Sequence, residues 1–172
     1  MFGMDTTPIP KRLRGRPRVG GLPVPFANQV GPDGRADFRT LDGERRQACL
    51  DRNLCGLCGQ QLGRPVVLIG SPADVELCLF FDPAMHEECA LYAVAACPYL
   101  ANPNRQYSKL QPKFLPPGEQ VDTSHQGDDI SPAERLALVY APAVFGREHR
   151  GTFFFAVAQK LKVDWETIPH RM

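Results

Sequence analysis

Cys55-Gly56-Leu57-Cys58-Gly59, followed after 26 intervening residues by His86-Glu87-Glu88-Cys89, predicts one metal centre at the middle of this chain. The Cys-x-x-Cys pair puts two thiolates on one tight turn, and Gly56 and Gly59 supply the backbone freedom that such a knuckle needs. His86 and Cys89 stand three residues apart. On a helix that spacing places both side chains on one face, directed toward the helix N-terminus. Thiolates and a neutral imidazole suit Zn2+ in a closed tetrahedron, and four protein ligands leave no position for water, so the ion is expected to be structural and not catalytic. A redox pair is the competing reading. It calls for a Cys-x-x-Cys at a helix start after a βαβ strand, which is absent here.

The flanking sequence supplies the scaffold. Residues 65–70 form a β-branched run, Ser71-Pro72-Ala73-Asp74 has turn composition, and residues 75–81 alternate with Val75, Leu77, Leu79 and Phe81 on one face, which together predict a β-hairpin. Asp82 and Pro83 then read as N-cap and first helical residue of a helix over 84–97, free of breakers until Pro98. Knuckle, hairpin and a helix carrying two ligands make a treble-clef zinc finger. Upstream, Asp42 caps a helix over 44–52. Cys97 shares the helical face of Cys89 but lies about 12 Å further along the axis, too far to join one ion. Cys49 and Cys78 read as ordinary buried thiols.

The fold class expected is therefore α+β, with the treble clef at its centre. Residues 1–20 read as a disordered basic tail, 21–101 as the zinc domain, 102–130 as a proline-rich connector and 131–172 as a C-terminal β segment packed on the zinc domain. In that last segment Ser131 to Glu134 resembles a capping box feeding a strand at 136–140. Further strands at 152–158 and 160–165 complete a β-meander. The 172 residues are 43% hydrophobic and 23% charged, a globular balance, while 17 prolines and 15 glycines announce irregular stretches. No apolar run approaches the roughly 20 residues of a membrane helix. No apolar segment follows the basic N-terminus, so a cytoplasmic protein with reduced cysteines is expected.

The net charge of +1 is unevenly spread, because Lys11, Arg12, Arg14, Arg16 and Arg18 face only Asp5 within the first 18 residues. Phosphate loops, dinucleotide fingerprints and nucleophile elbows are missing. His125, His149 and His170 read as exposed, and Asp122, Asp128 and Asp129 as a solvated acidic stretch.

Leu54-Cys55-Gly56-Leu57-Cys58-Gly59, Leu62-Gly63, Pro83-Ala84-Met85-His86-Glu87-Glu88-Cys89-Ala90, Tyr92-Ala93 and Cys97-Pro98-Tyr99-Leu100 resemble a group of small uncharacterised zinc-binding proteins of actinobacteria and their phages. Weaker similarity reaches Leu22 to Phe26, Asp37-Phe38-Arg39, Ala137 to Tyr140 and Val163-Asp164-Trp165. The resemblance implies the four zinc ligands and no activity.

Three functions then compete. The first is a non-catalytic nucleic-acid-binding zinc module. The segment Arg14-Gly15-Arg16-Pro17 resembles an AT-hook, whose arginines enter the minor groove of A·T tracts, and Lys11, Arg12, Arg14, Arg16 and Arg18 would be its contacts. The second is a protein-interaction adaptor, offering Leu57 and a face of Phe153-Phe154-Phe155; the rival is that both faces of that strand are covered within the monomer. The third, an HNH-type nuclease, needs a general-base histidine on the hairpin, and no histidine occurs between Cys58 and His86.

Overall fold

The computed structural model describes residues 7–96 and 135–167. The expected connector, Cys97, His125 and His170, the aspartates at 122, 128 and 129 and the capping-box segment at 131–134 lie outside the described residues. A 3-10 turn at Lys11–Leu13 leads to β1 (Arg18–Val19), which pairs with β2 (Leu22–Pro23). β3 (Asn28–Val30) pairs with β4 (Ala36–Leu41), and α1 (Gly43–Asp51) follows. α1 begins where its cap predicts, with the Asp42 carboxylate accepting the Arg45 amide at 3.0 Å.

β5 (Val66–Gly70) is buried along its whole length, as a continuous apolar run should be. α2 (Pro72–Leu77), β6 (Leu79–Phe80) and α3 (Glu87–Ala96) come next, then β7 (Arg135–Ala141), β8 (Phe145–His149), β9 (Thr152–Ala156) and β10 (Lys162–Thr167). The fold is α+β with four small antiparallel sheets among the described residues. Two of them organise the core. One runs β10-β7-β5, with Leu68 opposite Val139, and the other β6-β9-β8, with Phe80 opposite Phe155.

Three expectations are corrected here. Residues 75–81 do not form the second strand of a hairpin, and only Leu79–Phe80 are strand. Ser71 and Asp74 exchange side-chain to backbone hydrogen bonds in a capping box, Pro72 occupies the first turn, and the helix ends at Cys78 in the left-handed conformation with φ 57°. Leu77, assigned to the buried face by alternation, is 58% exposed as a result. β5 pairs instead with β7, 67 or more positions along the chain.

Second, α3 starts at Glu87 and not at Pro83. The intervening backbone is extended and already bonded: Met85 exchanges amide and carbonyl with Val67 at 2.8 and 2.9 Å, and Ala84 accepts the Gly56 amide at 3.0 Å. Third, the C-terminal strands do not form one meander. β7 and β10 belong to one sheet, while β8 and β9 belong to the other.

The N-terminal expectation also changes from Thr7 onward. Leu13 is fully buried within the main apolar cluster, which includes Val67, Leu68, Cys89 and Ala90. The basic segment is thus held by a hydrophobic anchor that its charge-rich composition conceals.

Candidate metal centre

The knuckle is a miniature hairpin. The Cys55 amide donates to the Gln60 carbonyl at 2.8 Å, the Gly59 amide to the Cys55 carbonyl at 2.9 Å, and Leu54 bridges Gln61. Its glycines act in different ways. Gly59 has φ +77°, a conformation disfavoured for other residues, and a Cβ there would sit 2.8 Å from the Phe26 ring. Gly56 is needed for close approach, since a Cβ would come 2.8 Å from Pro83.

Opposite the knuckle, the His86 carbonyl accepts the Ala90 amide at 2.9 Å and so begins α3, which places His86 and Cys89 at the helix start. The thiols of Cys55, Cys58 and Cys89 and an imidazole nitrogen of His86 all lie within 4.8 Å of one another, and all four residues are buried. The Nδ1 atom of His86 is 3.4 Å from the Cys58 sulfur and 4.0 Å from the Cys89 sulfur. A tetrahedron with metal–sulfur bonds of about 2.3 Å and metal–nitrogen bonds of about 2.0 Å has edges of roughly 3.5 to 3.8 Å, so the four donors fit a single ion. Two pairs of residues, 28 positions apart from Cys58 to His86, are thereby brought to one point.

The surrounding shell prepares them as ligands. His86 Nε2 lies 2.9 Å from the Gln61 carbonyl, an acceptor only, so Nε2 carries the proton and Nδ1 keeps its lone pair for metal. The Gln60 amide donates to the Cys58 sulfur at 3.4 Å. In a metal-free chain, hydrogen bonds from Cys58 and then from Cys89 hold the Cys55 thiol down at about 2. The reciprocal bonds to Cys55 push Cys58 and Cys89 up. A cation bound among them takes the place of the thiol protons.

Cys49 is buried beside this cluster, and burial pushes its thiol up to about 12, as befits a packing residue. Cys78, at the end of α2, is partly exposed and stands apart from the ligands.

The basic segment crosses this centre. Arg12 pairs with Glu88, which lies between the two helix ligands, and its Nη1 donates to Gln60 on the knuckle at 3.0 Å. Its charge is favoured first by the hydrogen bond to Glu88. Arg16 Nε donates to the Val24 carbonyl at 3.0 Å. Lys11, Arg14 and Arg18 remain exposed. An AT-hook is an extended strand, whereas residues 14–16 turn here, with the Arg16 amide donating to the Leu13 carbonyl at 3.1 Å, so the hook geometry is not found.

The anchor leads to a measurable expectation. Leu13→Ala removes a fully buried side chain and should cost about 2 to 5 kcal/mol in urea unfolding of the metal-loaded chain, where a residue of a disordered tail would cost nothing.

Of the remaining candidates, His149 is exposed on β8, Phe154 and Phe155 are buried in clusters on opposite sides of β9, and Phe153 is partly buried. Among the described residues no helix is long and apolar enough to cross a membrane. Sequence reasoning missed Arg46 of α1, a 5% exposed cation whose role no motif signals. Compared with family models, curated proteins and solved structures, the chain matches none of them.

Proposed function

We propose that Cys55, Cys58, His86 and Cys89 hold one structural zinc ion and that the folded chain is a non-catalytic binding module whose partner is nucleic acid. The observation that carries the first half is the donor set itself. Three thiolates and one imidazole with its tautomer fixed complete a tetrahedron and leave no coordination position for a substrate or water. Thiolate-rich sites favour zinc over hard cations such as calcium or magnesium.

The scaffold reads as an enlarged treble clef: the knuckle at 54–61, β5 bridged to Met85 in place of the expected hairpin, and α3 with its two ligands. α2 and β6 are inserted between the parts.

Nucleic acid is favoured over a protein partner for two reasons. The phenylalanines that suggested a docking face are packed inside, with Phe154 7% and Phe155 1% exposed. The cations Lys11, Arg14 and Arg18 face solvent on a segment anchored to the metal centre.

Native mass spectrometry of the purified chain tests the metal. One zinc per chain, with loss of the compact charge states on chelation, is the expected result, and a compact metal-free protein would end this reading. Salt-dependent binding of an oligonucleotide tests the partner.

A further inference from the structure

Phe26 gathers two arginines that the metal centre does not require. The guanidinium of Arg16 lies 5.9 Å from the ring centroid and that of Arg45, on α1, 5.5 Å. Each is fixed by one backbone carbonyl: Arg16 Nε donates to Val24, and Arg45 Nη1 donates to Phe26, both at 3.0 Å. The terminal nitrogens of Arg16 and the Nε and Nη2 of Arg45 therefore present donors without a hydrogen-bond partner among the described residues.

Like charges held this close repel, and Arg16 shows the effect. Burial first, and then Arg45, lower its pKa. A cation pair of this kind is incomplete until an anion joins it.

The platform is built on the knuckle. The Phe26 amide donates to the Leu57 carbonyl at 2.9 Å, the Ala27 amide donates to Gly56 at 3.0 Å, and the ring rests against Gly59. The ring, and through it both guanidinium forks, is thus tied to the knuckle backbone.

We propose that Arg16 and Arg45, seated on Phe26, form a phosphate site through which the protein grips the backbone of nucleic acid. This deepens the nucleic-acid reading and rests on it. Two planar forks match the paired oxygens of phosphate, and exposed Arg14 and Arg18 continue the positive surface on the same segment. Sequence alone could not find the pair, because Arg45 lies in a helix whose charges look like ordinary solvated ones.

The test uses the zinc-loaded full chain and fluorescein-labelled 20-mers, single-stranded and duplex, followed by anisotropy. Arg16→Gln/Arg45→Gln should weaken binding at least about tenfold at 50 mM salt and lower the salt slope by about two on duplex, roughly 0.9 per lost phosphate contact. If that variant binds as the wild type does while Lys11→Gln/Arg14→Gln/Arg18→Gln loses affinity, the site is overturned and the nucleic-acid reading stands. If the wild type binds neither strand form, both fall.

Zinc content and thermal melting establish that the variant is folded. Should it not fold, the wild type titrated with inorganic polyphosphate decides: the arginine Nε–H resonances of Arg16 and Arg45 should shift, and unmoved resonances overturn the proposal. Equal displacement of the oligonucleotide by polyglutamate and by polyphosphate of the same charge would assign the pair to carboxylates and also overturn it.

Discussion

Cys89→Ser is expected to lose its metal and, with it, the cooperative fold. Cys89 is fully buried at the start of α3, and its sulfur faces those of Cys55 and Cys58 as well as His86 Nδ1. Three remaining donors hold zinc far less tightly than four, and for sites of this type metal binding supplies on the order of 10 kcal/mol of folding free energy. A domain of this size is stable by about 5 to 15 kcal/mol in total, so losing most of the metal contribution leaves little or nothing.

The variant should show no zinc by mass spectrometry and no sigmoidal melt, whereas Cys49→Ser should keep one zinc per chain. Cys49 is equally buried and close by but is not among the four donors. If Cys49→Ser lost zinc and Cys89→Ser kept it, the ligand assignment would be wrong.

The four donors were legible in the sequence because ligand chemistry is local: a knuckle and an i, i+3 pair each specify their own geometry. The elements between them were less so. Residues 75–81 alternate well enough for a strand, yet Ser71 and Asp74 close a capping box at the preceding turn, and that local bond set wins. Ser71-Pro72-Ala73-Asp74 carries the serine and, three residues on, the carboxylate of that box, a signal that its turn-like composition masks.

The pairing of β5 with β7 could not be read from any window of sequence, because both strands are continuous apolar runs whose partner is set by the tertiary fold. Leu13 was hidden for a different reason. One apolar residue among arginines carries no periodicity, and only the groove it fills gives it weight.

Arg46 supplies the other large expected effect. Its guanidinium donates through Nε to the Phe81 carbonyl at 2.9 Å and through Nη2 to the Phe153 carbonyl, and it lies 4.1 and 3.9 Å from the centroids of those two rings. It thereby fastens α1 to the strand end after β6 and to β9. Burial lowers its pKa to about 10, so it stays cationic at neutral pH.

Arg46→Met replaces the bulk but removes two charge-assisted hydrogen bonds, each worth about 1.5 to 3 kcal/mol, and the stacking on the rings. A loss of roughly 3 to 5 kcal/mol in denaturant unfolding of the zinc-loaded chain is expected, with Arg46→Lys in between, since a single ammonium cannot reproduce the planar fork. A neutral or stabilising Met variant would mean that desolvating the cation costs as much as its contacts return.

Asp82 adds a pH signature that distinguishes lost charge from lost packing. Burial raises its carboxyl to about 6, Arg46 opposes that rise, and Asp74 adds to it. A carboxyl whose folded pKa lies above its unfolded value near 3.9 stabilises the fold below that value, and the contribution is lost as pH rises through the folded pKa. Without Arg46 the folded pKa moves higher still, so the deficit of Arg46→Met relative to wild type should widen between pH 6 and 7.5. If the deficit is the same at both pH values, Arg46 acts through shape and hydrogen bonding alone.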